Sequence, residues 1–304
     1  RQAAPVNLLF PGDAGVPRAT IPTDSNNIAP RFGFAYDVFG DGRTSVRGGY
    51  GIFFDSVPGV GVFQNINVPP FNRFVQIDVP PSLDNPYANF AINPQVDPRG
   101  DFPCPCLVIG FSPDFRGPYA QHFNFGLQRQ LGKDLVAEAG YAGSTGIKLP
   151  GYLEINPAVP GPTASRANTQ QRRIYQDFNL VRPTFSRFNS NYHSLQTRLE
   201  KRLSAGLSFL ATYTWGKAID YQSSLNFSGE NRPQDAFSLR DVRGLAAFDT
   251  RHRVVFSYNY GLPFFRGGPA LARHALGGWR LNGIVSAQSG SPLTVNDAVD
   301  HSLR

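Results

Sequence analysis

The sequence predicts an all-β fold in which antiparallel, up-and-down strands cross a membrane as part of a barrel. First, apolar and polar side chains alternate over segments of about 9 to 13 residues, which suits a tilted strand crossing a bilayer, whereas soluble strands usually have about five or six. Second, short turns and long loops follow one another along the chain. Third, 25 Phe, 12 Tyr, 31 Gly and 26 Pro occur among 304 residues, as expected for strands punctuated by turns.

The composition excludes several other classes of protein. Charged residues make up 17% of the chain, whereas about 25% is usual in soluble domains. No stretch approaches 18 consecutive apolar residues, which excludes a membrane-spanning helix. The net charge is +7, but the 29 Lys and Arg residues are scattered, and we predict no nucleic acid as a partner because no basic stripe or binding motif is present.

The two cysteines, Cys104 and Cys106, flank Pro105. Two cysteines are too few for a disulfide scaffold, and a zinc site needs further ligands. Either a local disulfide in an oxidising compartment or a pair of free thiols in a loop fits the sequence. We predict no metal site and no cofactor.

Four hairpins account for the regular part of the chain. In each hairpin, two arms of alternating apolar and polar residues flank a turn, and a period of two places the apolar set on one face. The first three turns contain Gly, which supplies the positive φ of a tight hairpin, and the fourth connection is longer. The arms are about 31–39 and 43–55, 121–131 and 135–142, 195–203 and 207–216, and 253–262 and 279–295.

The apolar face of these arms is the predicted lipid-facing surface. Its two charged members are Arg129 and Lys201, each close to a short turn. A charge near the membrane interface costs only about 0–1 kcal/mol, and both side chains could extend their charged ends toward headgroups. Aromatic residues that could form the interfacial girdles are Tyr213, Trp215, Tyr258, Tyr260 and Trp279.

Three long connections, about 56–119, 144–190 and 220–250, are rich in Pro, Asn, Asp, Ser and Gly. We predict that they are loops without regular structure, which argues against a compact soluble domain. Outer-membrane barrels have short periplasmic turns and longer extracellular loops. The sequence therefore predicts short turns on the periplasmic side and long extracellular loops.

Two segments carry a family resemblance. They are 191–202 (NYHSLQTRLEKR) and 206–217 (GLSFLATYTWGK), and they resemble the barrel of TonB-dependent outer-membrane receptors of the Oar-like type, which have a carboxypeptidase-regulatory-like domain at their N-terminus. Further segments fit the same family and extend the resemblance over most of the chain from about Asn27: FDTRHR at 248–253, GWRLNG at 278–283, APRFGFAYD at 29–37 and RGGYG at 47–51.

The resemblance implies a barrel of about 22 strands in the cell outer membrane, plugged by an N-terminal domain. It also implies a TonB-type energy-coupling complex as a partner that acts through the plug. The sequence shows no plug, coupling box, signal peptide or aromatic C-terminal residue, and both ends look cut. We therefore interpret the chain as a fragment, with residues 1–26 as an extracellular loop segment and 27–304 as a partial barrel of about eight strands.

No catalytic constellation stands out, and we predict that the chain is not an enzyme. Residues 142–146 (AGSTG) resemble a nucleophile elbow but lack the first Gly and lead into a loop rather than a helix. Two basic clusters are candidates for contacting a ligand in the lumen or at its mouth. The alternative is internal ion pairing, for His252 with Asp249 or with a carboxylate of a neighbouring strand. The candidates are Arg198, Glu200, Arg202, Arg251, His252 and Arg253.

The sequence thus predicts a fragment of a TonB-dependent-receptor-like barrel that binds or transports a bulky solute, with outer-membrane lipid around it. One alternative is a structural or adhesion barrel whose loops bind a surface partner. A second alternative is a soluble secreted β-sandwich that binds glycans, with the polar faces of its strands in water.

Overall fold

The structure is a computed structural model that describes residues 8–16, 18–19, 21–57, 59, 82–85, 88, 105–223, 233, 235, 237–264, 269–271 and 277–293. Within this part of the chain, ten strands form one sheet. No helix there has the length and apolar character needed to span a membrane. The strands are β1 Arg31–Asp37, β2 Thr44–Phe54, β3 Cys106–Phe111, β4 Tyr119–Gln130, β5 Leu135–Tyr152, β6 Phe178–Ser204, β7 Leu207–Asp220, β8 Gly244–Leu245, β9 His252–Gly261 and β10 Arg280–Gln288.

Eight strands lie side by side in the order β1, β2, β4, β5, β6, β7, β9, β10, and each pair of neighbours is antiparallel. This confirms the predicted up-and-down fold. The remaining two strands attach at one end, where β3 pairs with β6 in parallel and β8 pairs with β7. Because β1 and β10 do not pair with each other, the sheet is an open wall. No second sheet occurs among the described residues, so the sandwich alternative is wrong.

The strand register joins the apolar side chains of all eight strands on one face, because directly paired residues project from the same side of a sheet. The large members of this apolar face remain open to the surroundings: Phe32 is 69% exposed, Phe125 53% and Leu281 52%. A representative row runs across six strands through Val46, Leu127, Ala139, Thr197, Tyr213 and Val254.

The short turns are staggered along the sheet. The paired residues next to each turn can be followed across the sheet to β7. This path ends at Ala211 from the β1–β2 turn, at Phe209 from the β4–β5 turn and at Leu207 from the β6–β7 turn. Each turn therefore lies two residues further along the strand direction than the previous one. Closure of a sheet into a barrel with tilted strands requires a stagger of this kind.

The predicted charges on the apolar face both find partners at the turn end of the sheet. Nζ of Lys201 and Oγ of Ser204 both donate hydrogen bonds to the carboxylate of Asp134. These hydrogen bonds hold the pKa of Asp134 below its ordinary value. A guanidinium nitrogen of Arg129 donates to Oγ1 of Thr44 at 3.3 Å. The turn between β6 and β7 has positive φ at Ala205 (49°) and at the glycine after it (80°), as a two-residue type I′ hairpin requires.

The prediction that residues 144–190 form one irregular loop is wrong at both ends. β5 continues to Tyr152 and β6 begins at Phe178, so these strands have 18 and 27 residues. Lys148 takes a φ of 55° where the register shifts, and this bulge lets β5 continue past a loop-like composition. Pro183 lies inside β6, where its carbonyl oxygen accepts a hydrogen bond from the backbone N–H of Leu153.

Two other predicted boundaries also differ from the structure. The connection 56–119 contains β3, which is parallel to β6 through pairs such as Gly110 with Pro183. In the opposite direction, β10 ends at Gln288 rather than near residue 295. Among the described residues, β10 pairs only with β9, and Gly290 and Pro292 follow it closely.

The long β5–β6 hairpin ends in a small packed unit, which we call the outer subdomain: β3, residues 147–152 of β5, residues 178–190 of β6 and the connection 153–177. Its apolar core consists of Leu153, Phe185 and Phe188, all buried, with Leu149 and Ile155 packed against them. The predicted long loop is thus in large part an ordered structure at the outer end of the wall.

A buried polar network holds the connection of the outer subdomain. Asn156 is fully buried, and its side-chain amide donates to the carbonyl oxygens of Tyr175 and Phe178, each at 3.0 Å. Its Oδ1 accepts the backbone N–H of Tyr175 at 2.7 Å. Glu154 accepts a hydrogen bond from Nε of Arg182 at 3.0 Å. Buried polar groups with this many partners favour a single conformation.

Aromatic rings cover glycines on neighbouring strands of the apolar face. A Cβ atom on Gly143 would lie 2.1 Å from the ring of Phe123, its direct cross-strand partner. The same relation joins Gly48 to Phe34, where the distance would be 2.6 Å. Such pairs let a ring pack on the backbone and supply the apolar surface that glycine lacks.

We therefore predict that Gly143→Ala destabilises the folded sheet by about 1–3 kcal/mol, because the ring of Phe123 must leave its position. The matched control is Gly126→Ala, since the nearest atom to a Cβ there is 3.9 Å away. The measurement is the temperature at which the protein extracted from outer membranes loses its folded, fast-migrating form in an electrophoresis gel. Equal midpoints for the two variants would contradict this packing.

Candidate solute-facing surface

The polar face is the opposite side of the wall and carries the second set of alternating side chains. One of its rows joins Gln128, Glu138, Arg198 and Thr212 across β4, β5, β6 and β7. Two rows further toward the outer end, most of the side chains are small. This small-residue row contains Gly33, Gly49, Asn124, Ala142, Ser194 and Gly216.

The first predicted cluster divides into two parts. Nη2 of Arg198 lies 2.5 Å from Oε2 of Glu200, and Arg198 also stands directly opposite Glu138 on β5. Both members of the pair are partly open, with 49% and 36% of their side chains exposed, so the pair adds little stability. Arg202 lies apart at the turn end, where its backbone N–H donates to the carbonyl oxygen of Asp134 at 2.7 Å.

The second predicted cluster also divides, because neighbouring residues of a strand face opposite sides. Arg253 lies on the polar face, opposite Thr214. His252 lies on the apolar face instead, and its Nδ1 is 2.9 Å from the hydroxyl oxygen of Tyr213. The prediction that His252 faces the lumen together with Arg251 and Arg253 therefore fails for this residue.

Arg251 is anchored at the outer end of the wall. One of its Nη atoms lies 3.6 Å from Oδ2 of Asp249, a side chain that is only 5% exposed. Oδ1 of Asp249 accepts the backbone N–H of Ala218 at 2.6 Å. The aspartate considered as a partner for His252 thus pairs with Arg251 and with the backbone of β7.

Two further polar-face residues lie beside the candidates: sequence reasoning placed Gln196 on this face but missed Tyr192. Gln196 lies one row from Arg198 and is directly paired with Thr214. Tyr192 covers Gly216, whose added Cβ would lie 3.1 Å from the tyrosine hydroxyl. Continued alternation along β6 is the signal that could have placed Tyr192 on the polar face. Together these side chains offer cationic, amide and hydroxyl groups, which suit hydrogen bonding to a polar solute rather than covalent chemistry.

Two ionisable groups at the outer end have shifted pKa values. Burial raises the pKa of Asp220, the last residue of β7, and a hydrogen bond from Ser223 opposes this effect. Burial lowers the pKa of Arg173, and the nearby charge of Glu154 opposes that shift. A guanidinium nitrogen of Arg173 donates to the carbonyl oxygen of Asn156 at 2.7 Å, so this cation helps to hold the outer subdomain together.

No group of three or more metal-ligating side chains occurs among the described residues. Cys106, the first residue of β3, is disulfide-bonded, in keeping with the first of the two alternatives for the cysteines. The chain has no cysteine other than Cys104 and Cys106. Cys104 itself lies outside the described residues.

A comparison with protein families agrees with this architecture, in which an open, staggered wall has one exposed apolar face and one polar face. The family described as "Outer membrane beta barrel domain" matches residues 1–303. The chain belongs to this family. Its place is therefore the cell outer membrane, with the apolar face of the outer membrane β-barrel domain against lipid.

Solved structures of other proteins show partial similarity to this outer membrane β-barrel domain. One is the outer membrane transporter YddB from Escherichia coli, with 14% identity over 77% of this chain and 26% of that chain, at a TM-score of 0.49. A second is the FrpB iron transporter from Neisseria meningitidis (F3-3 variant), with 12% identity over 78% of this chain and 25% of that chain, at a TM-score of 0.40. A third is the FpvAI–pyocin S2 complex, with 10% identity over 82% of this chain and 22% of that chain, at a TM-score of 0.38.

The chain spans about a quarter of the length of these neighbours, from 22% to 26%. It has no significant sequence match among curated proteins. The division into residues 1–26 and 27–304 stays a prediction.

We predict that Asp220→Asn raises the unfolding temperature at neutral pH. Because burial raises the folded-state pKa of Asp220, the folded form is penalised once pH rises above the unfolded-state pKa of about 3.9. The gain should therefore shrink as pH falls and disappear below that value. The measurement is the unfolding midpoint of the extracted protein between pH 3 and 8.

The matched control is Asp177→Asn, a change at an exposed carboxylate of the outer subdomain, which should alter the midpoint little. A stabilising effect of Asp220→Asn that persists unchanged at the lowest pH would contradict the proposed cause.

Proposed function

We propose that this chain forms part of the wall of a TonB-dependent-receptor-like barrel that binds or transports a bulky solute across the outer membrane. The proposal builds on membership of the outer membrane β-barrel domain family and on the resemblance of segments 191–202 and 206–217 to Oar-like receptors. No catalytic step is part of the proposal.

The observation that carries the proposal is the open wall. Eight strands closed into a barrel would leave an interior just wide enough for side chains to fill. Here β1 and β10 stand apart as the two ends of the eight-strand order. The polar face also includes the small-residue row, in which five of the six side chains are no larger than that of serine. Both features suit a wider lumen that contains something other than the side chains of the wall.

In the proposed barrel, a plug domain occupies this lumen and a TonB-type energy-coupling complex acts through it. The polar face offers the plug and the solute a surface with Arg198, Glu200 and Arg253 on it. Arg202 and Arg251 mark its periplasmic and outer ends. The fragment interpretation of the chain belongs to the same proposal.

A structural or adhesion barrel is the second candidate, and the outer subdomain favours it. A packed core and the buried Asn156 network give this unit a defined surface outside the membrane. A rigid unit of this kind can bind a surface partner without any transport. Energy dependence separates the two functions.

The experiment measures accumulation in cells that carry or lack the protein. Labelled iron chelates, oligosaccharides and peptides are supplied with and without a protonophore, and the periplasmic fraction is separated from the surface-bound fraction. Transport predicts that at least one class enters the periplasm only with the protein present and with the proton gradient intact. Adhesion predicts surface binding that the protonophore leaves unchanged.

Arg198→Gln together with Arg253→Gln tests the polar face in the same assay. We expect a loss of uptake of about tenfold if both cations contact the solute, at about 1.4 kcal/mol per factor of ten. The control is Arg43→Gln in the exposed β1–β2 turn. If no class shows protein-dependent, energy-dependent uptake while the protein is folded at the cell surface, the transport proposal fails.

A further inference from the structure

The apolar face changes character at the end opposite the short turns. Over most of its height it presents aliphatic and aromatic side chains, but there it carries a group that we call the outer belt. Exposed Trp215 lies at its centre. The outer belt consists of Tyr141, His193, Tyr213, Trp215, Lys217 and His252.

Two tyrosine–histidine pairs frame the outer belt. The hydroxyl oxygen of Tyr141 is 2.5 Å from Nδ1 of His193, and that of Tyr213 is 2.9 Å from Nδ1 of His252. The rings also stack, with centroids 6.0 Å and 6.2 Å apart. When each hydroxyl donates to Nδ1, the proton of the imidazole is on Nε2, which is then a donor at the exposed edge of the ring.

Lys217 completes the outer belt with a permanent charge. It is the direct cross-strand neighbour of His193 and follows Trp215 by two residues, so the three side chains share a face. Lys217 is exposed, and within the described residues its ammonium has no carboxylate or hydrogen-bond partner. No carboxylate lies on the apolar face of the eight wall strands as described either, because Asp37, Glu138, Glu200 and Asp220 all lie on the polar face.

The height of the outer belt matches the outer membrane boundary. Lys217 lies ten residues from Leu207, which adjoins the short β6–β7 turn. At about 3.3 Å per residue and a tilt of about 40°, ten residues rise by roughly 25 Å, the height of the apolar band of a barrel. Because the short turns are periplasmic, the outer belt meets the headgroups of the outer leaflet.

The contrast with the other boundary is informative. At the turn end, the cations of the apolar face are bound within the protein, Lys201 by Asp134 and Arg129 by Thr44. At the outer end, Lys217 and the two imidazoles present only donors and positive charge to the lipid. An ammonium at the edge of the hydrocarbon extends toward the interface, where a headgroup phosphate is available as an anionic acceptor.

We propose that the outer belt is a binding site for the phosphate group of a phosphorylated lipid of the outer leaflet. Lys217 supplies the charge, the imidazoles of His193 and His252 supply hydrogen-bond donors, and Trp215 packs against the adjoining acyl or sugar portion. The lipid-binding site does not depend on what the barrel transports, so this proposal can be tested independently of the proposed function.

The test places the protein extracted from outer membranes in nanodiscs of phosphatidylcholine that contain a small fraction of lipid A, and counts bound lipid A by native mass spectrometry. Lys217→Gln should reduce bound lipid A about fivefold, since one basic residue near a charged lipid surface contributes roughly that factor. Lys217→Arg should preserve binding, which would show that Lys217→Gln acts through the lost charge rather than through misfolding.

The matched control is Arg129→Gln, which removes a cation from the same face at the opposite boundary and should leave lipid A binding unchanged. Two further arms identify the source of the phosphate. Lipid A stripped of its phosphates should bind no better to the unmodified protein than to Lys217→Gln, and free inorganic phosphate should not displace lipid A. Any one of three results overturns the proposal: Lys217→Gln binds as much lipid A as the unmodified protein, the unmodified protein binds the stripped lipid as well as it binds intact lipid A, or free phosphate displaces lipid A.

Discussion

The register between neighbouring strands is the constraint on which the rest of this structure depends. In lipid, every backbone N–H and C=O group needs a partner within the protein, and continuous antiparallel pairing supplies these partners across the wall. A shift of one residue would exchange the two faces of a strand. Rows such as the one through Leu127 and Tyr213 exist because each of the seven pairings places an apolar-face residue opposite an apolar-face residue of the next strand. The lipid-facing surface is therefore a property of the sheet rather than of any one strand.

Positively charged side chains have different surroundings at the two boundaries of the apolar face. On the periplasmic side, the turn residue Asp134 and the neighbouring Ser204 satisfy Lys201 internally. On the outer side, tyrosines orient imidazoles while Lys217 is left open to its surroundings. The difference follows from the loops: a tight turn places a carboxylate next to the last lipid-facing position, whereas long strands carry the chain away from the outer boundary before it turns.

The outer subdomain shows how a loop with poor strand-forming composition acquires order. Pro150 and Pro183 interrupt the donors of β5 and β6, yet both strands continue because bulges, β3 and the buried amide of Asn156 compensate. Packing of Phe188 and Leu153 then encloses a core above the membrane. Order outside the bilayer thus depends on apolar contacts and side-chain hydrogen bonds, whereas order inside it depends on backbone pairing.

Alternation by itself determined the hairpins, the apolar face, the turn at Ala205 and the position of Lys201 near a turn, because these features depend on residues close together in sequence. Tertiary structure decided what depends on distant partners. β3 joins β6 across some 70 residues, and this pairing covers part of β6 before Thr184, where β6 has no ladder partner in β5. His252 was grouped with its arginine neighbours by position in the chain, but pairing with Trp215 places it toward lipid. Local pattern specifies which side chains share a face, and non-local pairing specifies how far the strands extend and what each face meets.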